Sequence, residues 1–517
     1  MAHPGLQAAE RPDDTALIIA ETGATMSWAE LRRQSVQAAN TIHDLGIRAG
    51  DAVAFCVENR FEFVVLVWAC HDAGFRYTPI STRLTPDEVA YIVDDCDARV
   101  FIHSSDTASS RDSAMGIAGL KHVIDIDQPD ALGQTDERKP VYERAEGVSM
   151  LYSSGTTGKP KGVLRPAPPE PIEELSPGDR GSAALFGIDT RSVYLSTAPL
   201  YHSAPMTFLI MMGRVGAAVV IMKRFDPAGA LAHIEHYGVT HSQWVPTMFV
   251  RMLRLSEDER TRHDLSTHSF AIHGAGPCTI PIKEAMLDWW GPVIHEYYAG
   301  TEGAGMCLIG PDEWLAHKGS VGRSMRGPVL IIDDGGNRLP PGEIGQIWFS
   351  NSSDFQYYND PAKTSESRGA SGSGTFGDIG YLDDDGYLYL TDRKSFTINA
   401  GGINIYPREV EEVLLGHPAV DDVAVFGVPN DEYGEEVRAV VQPSAGATPD
   451  PALVDELTDH CGKHLARFKV PRSIDFVDEL PREPTGKLRK HLLREHAMAV
   501  LGARQGARAT SFGDRSG

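Results

Sequence analysis

The segment Tyr152 to Gly162, YSSGTTGKPKG, brings hydroxyls, glycines and two lysines together in eleven residues. Glycines let backbone N–H groups approach phosphate oxygens, while Ser and Thr hydroxyls and Lys add donors and positive charge. Ser153, Ser154, Gly155, Thr156, Thr157, Gly158 and Lys159 therefore form a candidate phosphate cradle. A flexible loop has the same composition, so further segments must decide. The segment is not a Walker A loop: Ser153 stands five residues before Gly158, and Lys159 is followed by Pro160. A second concentration of charge lies late in the chain. Pro481 to Lys490, PREPTGKLRK, holds Lys487 in a region that also carries Arg467, Lys469, Arg472, Arg482, Arg489 and Lys490. The net charge is −23, so an acidic protein that handles polyanions must concentrate its cations where they bind. The same balance argues against nucleic acid as a partner.

Four further segments accompany the first in a fixed order: PLYHS (Pro199 to Ser203), YYAGTEG (Tyr297 to Gly303), GDIGYLDDDGYLYLTDRKSFTINAGGINIYPREVE (Gly377 to Glu411) and PREPTGKLRK. Together they resemble the adenylate-forming superfamily, in its acyl-CoA synthetase and fatty-acid–CoA ligase branch, over nearly the whole chain. The resemblance implies ATP and coenzyme A as co-substrates and Mg²⁺ as cofactor. It implies that Thr301 contacts the α-phosphate, that Glu302 with Thr156 holds the metal, and that Gly274, Ala275, Gly276, Tyr298, Ala299 and Gly300 frame the adenine. Asp378 and Arg393 fall to the ribose, a carboxylate being acceptor-only and a guanidinium its charged complement. Lys487 is implied as the mobile lysine that bridges the substrate carboxylate and the α-phosphate. Gly401 and Gly402 form the face for thioester formation, brought in by a hinge at Ser395. Thr301, Glu302 and Lys487 are thus the catalytic candidates.

Three positions depart from the family pattern. Ser395 stands where Asp or Lys is usual, Phe376 where Thr commonly precedes Gly-Asp, and Ala299 where Gly follows the tyrosine. The acyl pocket is expected among His202, Ala204, Pro205, Trp244, Val245, His273 and Gly300. Tyr201 and His202 offer no acid to a substrate ammonium, which excludes amino acids. A medium-to-long fatty acid is the first expectation and an aromatic, sterol-derived or other cyclic acid the second. A nucleotide-binding protein that kept the fold without catalysis is the alternative of another class.

These residues need a scaffold. Between Asp51 and His103, strand-like AVAFC, RYTPI and RVFIH alternate with helices, one over Phe61 to Ala73 and one opened by Thr85, Pro86 and Glu88 in a capping box. That alternation predicts an α/β fold with doubly wound, mostly parallel sheets. Met206 to Met222 reads as a helix and a buried strand, and the Pro-, Glu-, Ser- and Gly-rich stretches Ala167 to Ser182 and Ser365 to Gly374 as loops. After Asp392 the units shorten, with a helix from Pro407 and a strand near Val423 to Val428. This gives a large domain over 1–391, a hinge over 392–396, a small mobile α+β domain over 397–501 and a disordered tail over 502–517. The 517 residues, 42% hydrophobic and 23% charged, suit such a multidomain globular chain. Six unpaired-looking cysteines, no signal-peptide pattern and no membrane-length apolar run predict a cytoplasmic protein without integral membrane contact. Its partners are small molecules: a carboxylic acid, ATP and CoA. A homodimer is left open. His233, His236 and His241 lack a carboxylate at ligand spacing and are expected to be ordinary histidines.

Overall fold

The computed structural model describes residues 3–133, 138–153, 159–369, 372–400, 403–430, 433–482 and 488–500. Two large sheets organise the first 350 residues or so, one of nine strands and one of seven. In the nine-stranded sheet, Val193–Ser196, His241–Trp244, Phe270–His273 and Ile294–Ala299 run parallel and adjacent. In the seven-stranded sheet, Ala52–Cys56 pairs in parallel with both Arg76–Pro79 and Ala98–His103. Each is a crossover topology whose strands are covered on both faces.

Helices Trp28–Asp44, Phe61–Ala73 and Ser203–Val215 lie between the two sheets, and one continuous apolar cluster, including Phe55, Trp68, Tyr194 and Met212, fills that layer. Helix Phe61–Ala73 is buried at every position from Phe63 to Ala73, as its central position requires. Helices Pro227–Tyr237, Pro246–Leu253 and Ile280–Trp290 cover the outer face of the nine-stranded sheet around Trp244 and Phe249. The capping box expected at Thr85 is present: Thr85 Oγ1 accepts from Glu88 N, and Glu88 Oε2 accepts from Thr85 N at 2.8 Å.

Polar knots join the layers. Asp72, wholly buried, accepts from Arg32 Nη1, Arg144 Nε and Tyr142 Oη, each at 2.7 Å. Burial would raise its pKa, but Arg32 and the other cations outweigh that and hold it below the ordinary carboxylate value.

Two stretches read as loops are partly helical. Pro177–Phe186 is a helix because Ser176 Oγ accepts from Asp179 N at 3.1 Å, Pro177 occupies the first turn, and Ala183 and Phe186 are buried. Pro361–Ser367 is a helix capped by Asp360, so Ser365 to Ser367 are its last turn. Pro, Ser and Asp there are initiation signals rather than breakers.

A four-stranded sheet, containing Asp378–Leu382 and Leu388–Arg393, follows the two large ones. Asp392 and Arg393 are register partners of Ile379 and Asp378, so the connection to the small domain narrows to the single turn Lys394–Phe396. The 392–396 segment thus comprises the last two residues of that strand and the turn that follows it. Beyond it a five-stranded sheet with helices Pro407–Leu415 and Pro451–His464 has its own core around Val410, Val425 and Leu457. Helix Pro407–Leu415 has no side-chain cap from Tyr406; instead Asp392 Oδ2 accepts from Arg408 N at 3.0 Å, so the preceding sheet caps the small domain's helix.

Candidate active site

The candidate residues gather where strands end. Phe270–His273 and Ile294–Ala299 are parallel neighbours, and the turns after their C-terminal ends carry Gly274 to Gly276 and Gly300 to Gly303. Ligand sites of open α/β sheets form at such ends. The first turn is tight: a Cβ on Gly274 would lie 2.6 Å from the Tyr297 ring, and Ala275 adopts φ +67°. The second closes through Gly303 N donating to Gly300 O at 3.0 Å, with Thr301 and Glu302 half-buried between them.

Tyr298 is fixed at both ends. Its ring meets Phe376 edge-on with centroids 5.6 Å apart, and its hydroxyl donates to Asp378 Oδ2 at 2.5 Å. Asp378 is buried, and its register partner is Arg393. Phe376, the departure from threonine, packs where a side chain at 300 would go: a Cβ on Gly300 would be 2.6 Å from two of its ring carbons. The exposed Ala299 is the last residue of its strand.

Glu302 is oriented by a residue that sequence reasoning missed. Tyr357 Oη donates to Glu302 Oε1 at 2.7 Å, and Tyr357 is the register partner of Val163. Val163 lies in Lys161–Leu164, which pairs antiparallel with Val148–Ser153; Ser153 is opposite Lys161 at the mouth of that hairpin. The 154–158 segment is therefore carried by the same hairpin whose edge partner holds Glu302. Lys161 is tied to Asp360, and Lys159 is exposed with its ammonium 4.9 Å from the centroid of the Tyr91 ring. No signal in the sequence links Tyr357 to Glu302, because the link depends on strand register.

Ser154, Gly155, Thr156, Thr157, Gly158, Gly401, Gly402 and Lys487 lie outside the described residues, and of Arg393 and Ser395 only the backbone is described. The remaining donor set suits Mg²⁺: one carboxylate, Glu302, oriented by a neutral hydroxyl, leaves room for the phosphate oxygens and waters this cation prefers.

The residues expected to line the acyl pocket have different surroundings. His202, Ala204 and Pro205 open the helix Ser203–Val215 in the layer between the sheets. Trp244 and His273, each fully buried, face the outer layer instead, packing on Phe249. Val245 caps the outer helix Pro246–Leu253. Trp244 and His273 are register partners, so both side chains emerge on the same face of the sheet. His273 instead sits beside a buried ion pair, Lys283 Nζ to Glu296 Oε2 at 2.6 Å, with its own Nε2 3.5 Å from that oxygen. Burial lowers the pKa of Lys283 and raises that of Glu296, and burial with the Lys283 charge holds His273 neutral. Of the three histidines read as ordinary, His241 is packed, with Nδ1 on Thr240 Oγ1 and Nε2 on Phe186 O.

Comparison with known proteins identifies the family. The model of the AMP-binding enzyme family matches residues 6–358, and that of the AMP-binding enzyme C-terminal domain matches 409–487. The chain is 32% identical over 482 residues to the 2-succinylbenzoate–CoA ligase of Geobacillus kaustophilus (strain HTA426), covering 92% of this chain and 94% of that one. It is 30% identical over 495 residues to the long-chain-fatty-acid–CoA ligase FadD13 of Mycobacterium tuberculosis, covering 93% and 95%. Among solved structures, the o-succinylbenzoate CoA synthetase of Bacillus subtilis in complex with its acyl-adenylate intermediate superposes with a TM-score of 0.83 at 28% identity, covering 96% of this chain and 98% of that one. The chain belongs to the AMP-binding enzyme family of the adenylate-forming superfamily, in its acyl-CoA synthetase branch.

Proposed function

We propose that the chain converts a carboxylic acid with an apolar body into its CoA thioester through an acyl-adenylate, as an AMP-forming acid–thiol ligase. One observation carries the reading: Tyr298 and Asp378 are bonded to each other, and Glu302 is tied through Tyr357 to the hairpin that carries the 154–158 loop. Nucleotide-binding and phosphate-binding segments thus form one connected unit.

In the first step the substrate carboxylate, already ionised near neutral pH, attacks the α-phosphorus of ATP and pyrophosphate leaves. No general base is required. Two anions approach, so positive charge must stand at the reacting oxygens; Lys487 takes that role, with Thr301 donating to the α-phosphate. Asp378 and Arg393 hold the ribose, and Tyr298 presents its ring to the adenine. Ser153 to Lys159 enclose the pyrophosphate end. Glu302 and Thr156 would hold Mg²⁺, which when bound supplies further charge neutralisation at the phosphates. In the second step the CoA sulfur attacks the acyl carbon, the acyl–phosphate bond breaks and AMP departs. Rotation about Lys394–Phe396 withdraws Lys487 and presents Gly401 and Gly402.

The acid is a medium-to-long fatty acid or a ring-bearing acid. Pro205, Met206 and Leu209 make the surroundings of the helix after His202 apolar, and Tyr201 and His202 supply no carboxylate for a substrate ammonium. The ring-bearing reading draws support from the 2-succinylbenzoate ligases among the relatives, and the fatty-acid reading from FadD13. ATP–pyrophosphate exchange that depends on an added acid tests the proposal. Fatty, aryl and cyclic acids should differ in the rates they support; no exchange with any of them would overturn it.

A further inference from the structure

Arg165 follows the strand Lys161–Leu164, and the mechanism above gives it no task. It has no hydrogen-bond or ion-pair partner among the described residues, although its side chain is exposed to solvent. Its guanidinium lies against the turn that carries Thr301 and Glu302: a Cβ on Gly303 would stand 3.1 Å from Nη1 and 3.3 Å from Cδ. Gly303 also has φ +68°, so both its backbone and its contact suit glycine. The carboxylates whose charge reaches Arg165 are Asp179 and Glu302, and neither forms an ion pair with it. Burial is the main influence on the group and lowers its pKa, although solvent still reaches the side chain. Both observations hold for a cation crowded by the protein on one side and open to solvent on the other.

A guanidinium in such a place loses hydration when a ligand closes over it. If the ligand presents only an aliphatic surface, that loss has no compensation. If it presents a carboxylate or a carbonyl, one or two charge-assisted hydrogen bonds form. In the mechanism above the phosphates that reach this turn already have Thr301, Lys487 and the Mg²⁺ that Glu302 would hold. The acid is the remaining candidate, because in that mechanism it meets the α-phosphate at the turn Arg165 touches.

We propose that Arg165 is a specificity-determining residue that binds a second acceptor group of the acid, a carboxylate or a keto oxygen remote from the carboxylate that is adenylated. The inference rests on the ligase reading and narrows its substrate class to oxo- or dicarboxylic acids with an apolar body.

The test measures acid-dependent ATP–pyrophosphate exchange with decanoate, 4-oxodecanoate and decanedioate, on the full chain and on Arg165→Leu and Arg165→Lys. In the unaltered chain, kcat/KM for the better of the two bifunctional acids should exceed that for decanoate by about tenfold or more, the scale of a hydrogen bond to a charged group. Arg165→Leu should bring that ratio to about one by raising KM for the bifunctional acid, and Arg165→Lys should keep part of it. The Lys variant also keeps the test open should Leu fail to fold, which a thermal melt shows. A preference for decanoate in the unaltered chain overturns the inference and leaves the ligase reading standing. A rise in KM for ATP by one factor with all three acids assigns Arg165 to the triphosphate and overturns it too. If these acids and the wider fatty, aryl and cyclic panel all fail to support exchange, the ligase reading falls and the inference with it.

Discussion

Alanine at position 300 adds one methyl group at a crowded point of the site. The backbone of Gly300 is not in the left-handed region, so alanine costs little there, and the effect is steric. The added Cβ would lie 2.6 Å from Glu302 Oε2 and 2.6 Å from Cδ1 and Cε1 of Phe376, about 0.8 Å inside ordinary contact. Phe376 cannot easily withdraw, because Tyr298 and Phe349 pack against it with centroids at 5.6 and 5.4 Å. Overpacking of this kind costs about 1–3 kcal/mol. Glu302 must turn away as well, and a displacement near 1 Å at a reacting centre can cost about 100-fold in rate. Gly300→Ala should therefore lower Tm and reduce acid-dependent ATP–pyrophosphate exchange by about 10- to 100-fold. Phe376→Thr in the same chain removes one of the two collisions. The double variant should recover most of the lost Tm and only part of the exchange, with a coupling energy of about 0.5–3 kcal/mol between the two positions. Thermal melts and exchange assays on the four proteins of the cycle measure it. A Gly300→Ala protein with unaltered Tm and exchange would refute the steric account, as would additivity of the two substitutions.

Lys487→Ala should slow adenylation by at least ~100-fold, a loss of about 3 kcal/mol in the range of other charge-stabilising donors, while thioester formation from supplied acyl-adenylate survives; single-turnover measurement of each half-reaction separates them. Lys283→Ala leaves the Glu296 carboxyl buried without its partner and should cost about 3–5 kcal/mol in denaturant unfolding. Lys283→Met with Glu296→Leu should recover most of that loss, and a double variant as unstable as the single would show that the ion pair itself is required. His268 is buried against Ser242 Oγ, and burial lowers its pKa to about 3. The unfolded chain takes up this proton near pH 6.5 and the folded chain does not, so the contribution of His268 to stability is present above pH 6.5 and is lost as pH falls towards 3. His268→Phe should therefore lose less Tm between pH 7 and pH 4 than the unaltered chain, and parallel pH profiles would contradict this.

The fold class and the order of the site segments were legible in the sequence because both depend on local signals. Period-two and period-3.6 apolar patterns, the Thr85 capping box and the five motif segments each occupy a few consecutive residues. Errors arose where a local signal pointed two ways. Proline and serine at 176–177 read as loop composition, yet with Asp179 they start a helix whose apolar side covers the neighbouring Ser203–Val215. The acyl pocket is less legible for a different reason. Membership of the right strand is local, but the face on which Trp244 and His273 emerge depends on parity through the whole sheet.

Tyr357 and Arg165 had no signal at all, since each acts through a residue more than fifty positions away. The departures from the family pattern show the same non-locality from the other side. Taken singly along the chain, Phe376 in place of threonine and Ala299 in place of glycine are two unrelated losses. In space, the Phe376 ring occupies the volume next to Gly300 and braces Tyr298, whose hydroxyl reaches Asp378. The glycine that the motif lacks at 299 is needed at 300, where the ring leaves no room for a methyl. The ring at 376 thus makes glycine necessary at 300, a link between two motif segments that their order along the chain does not reveal.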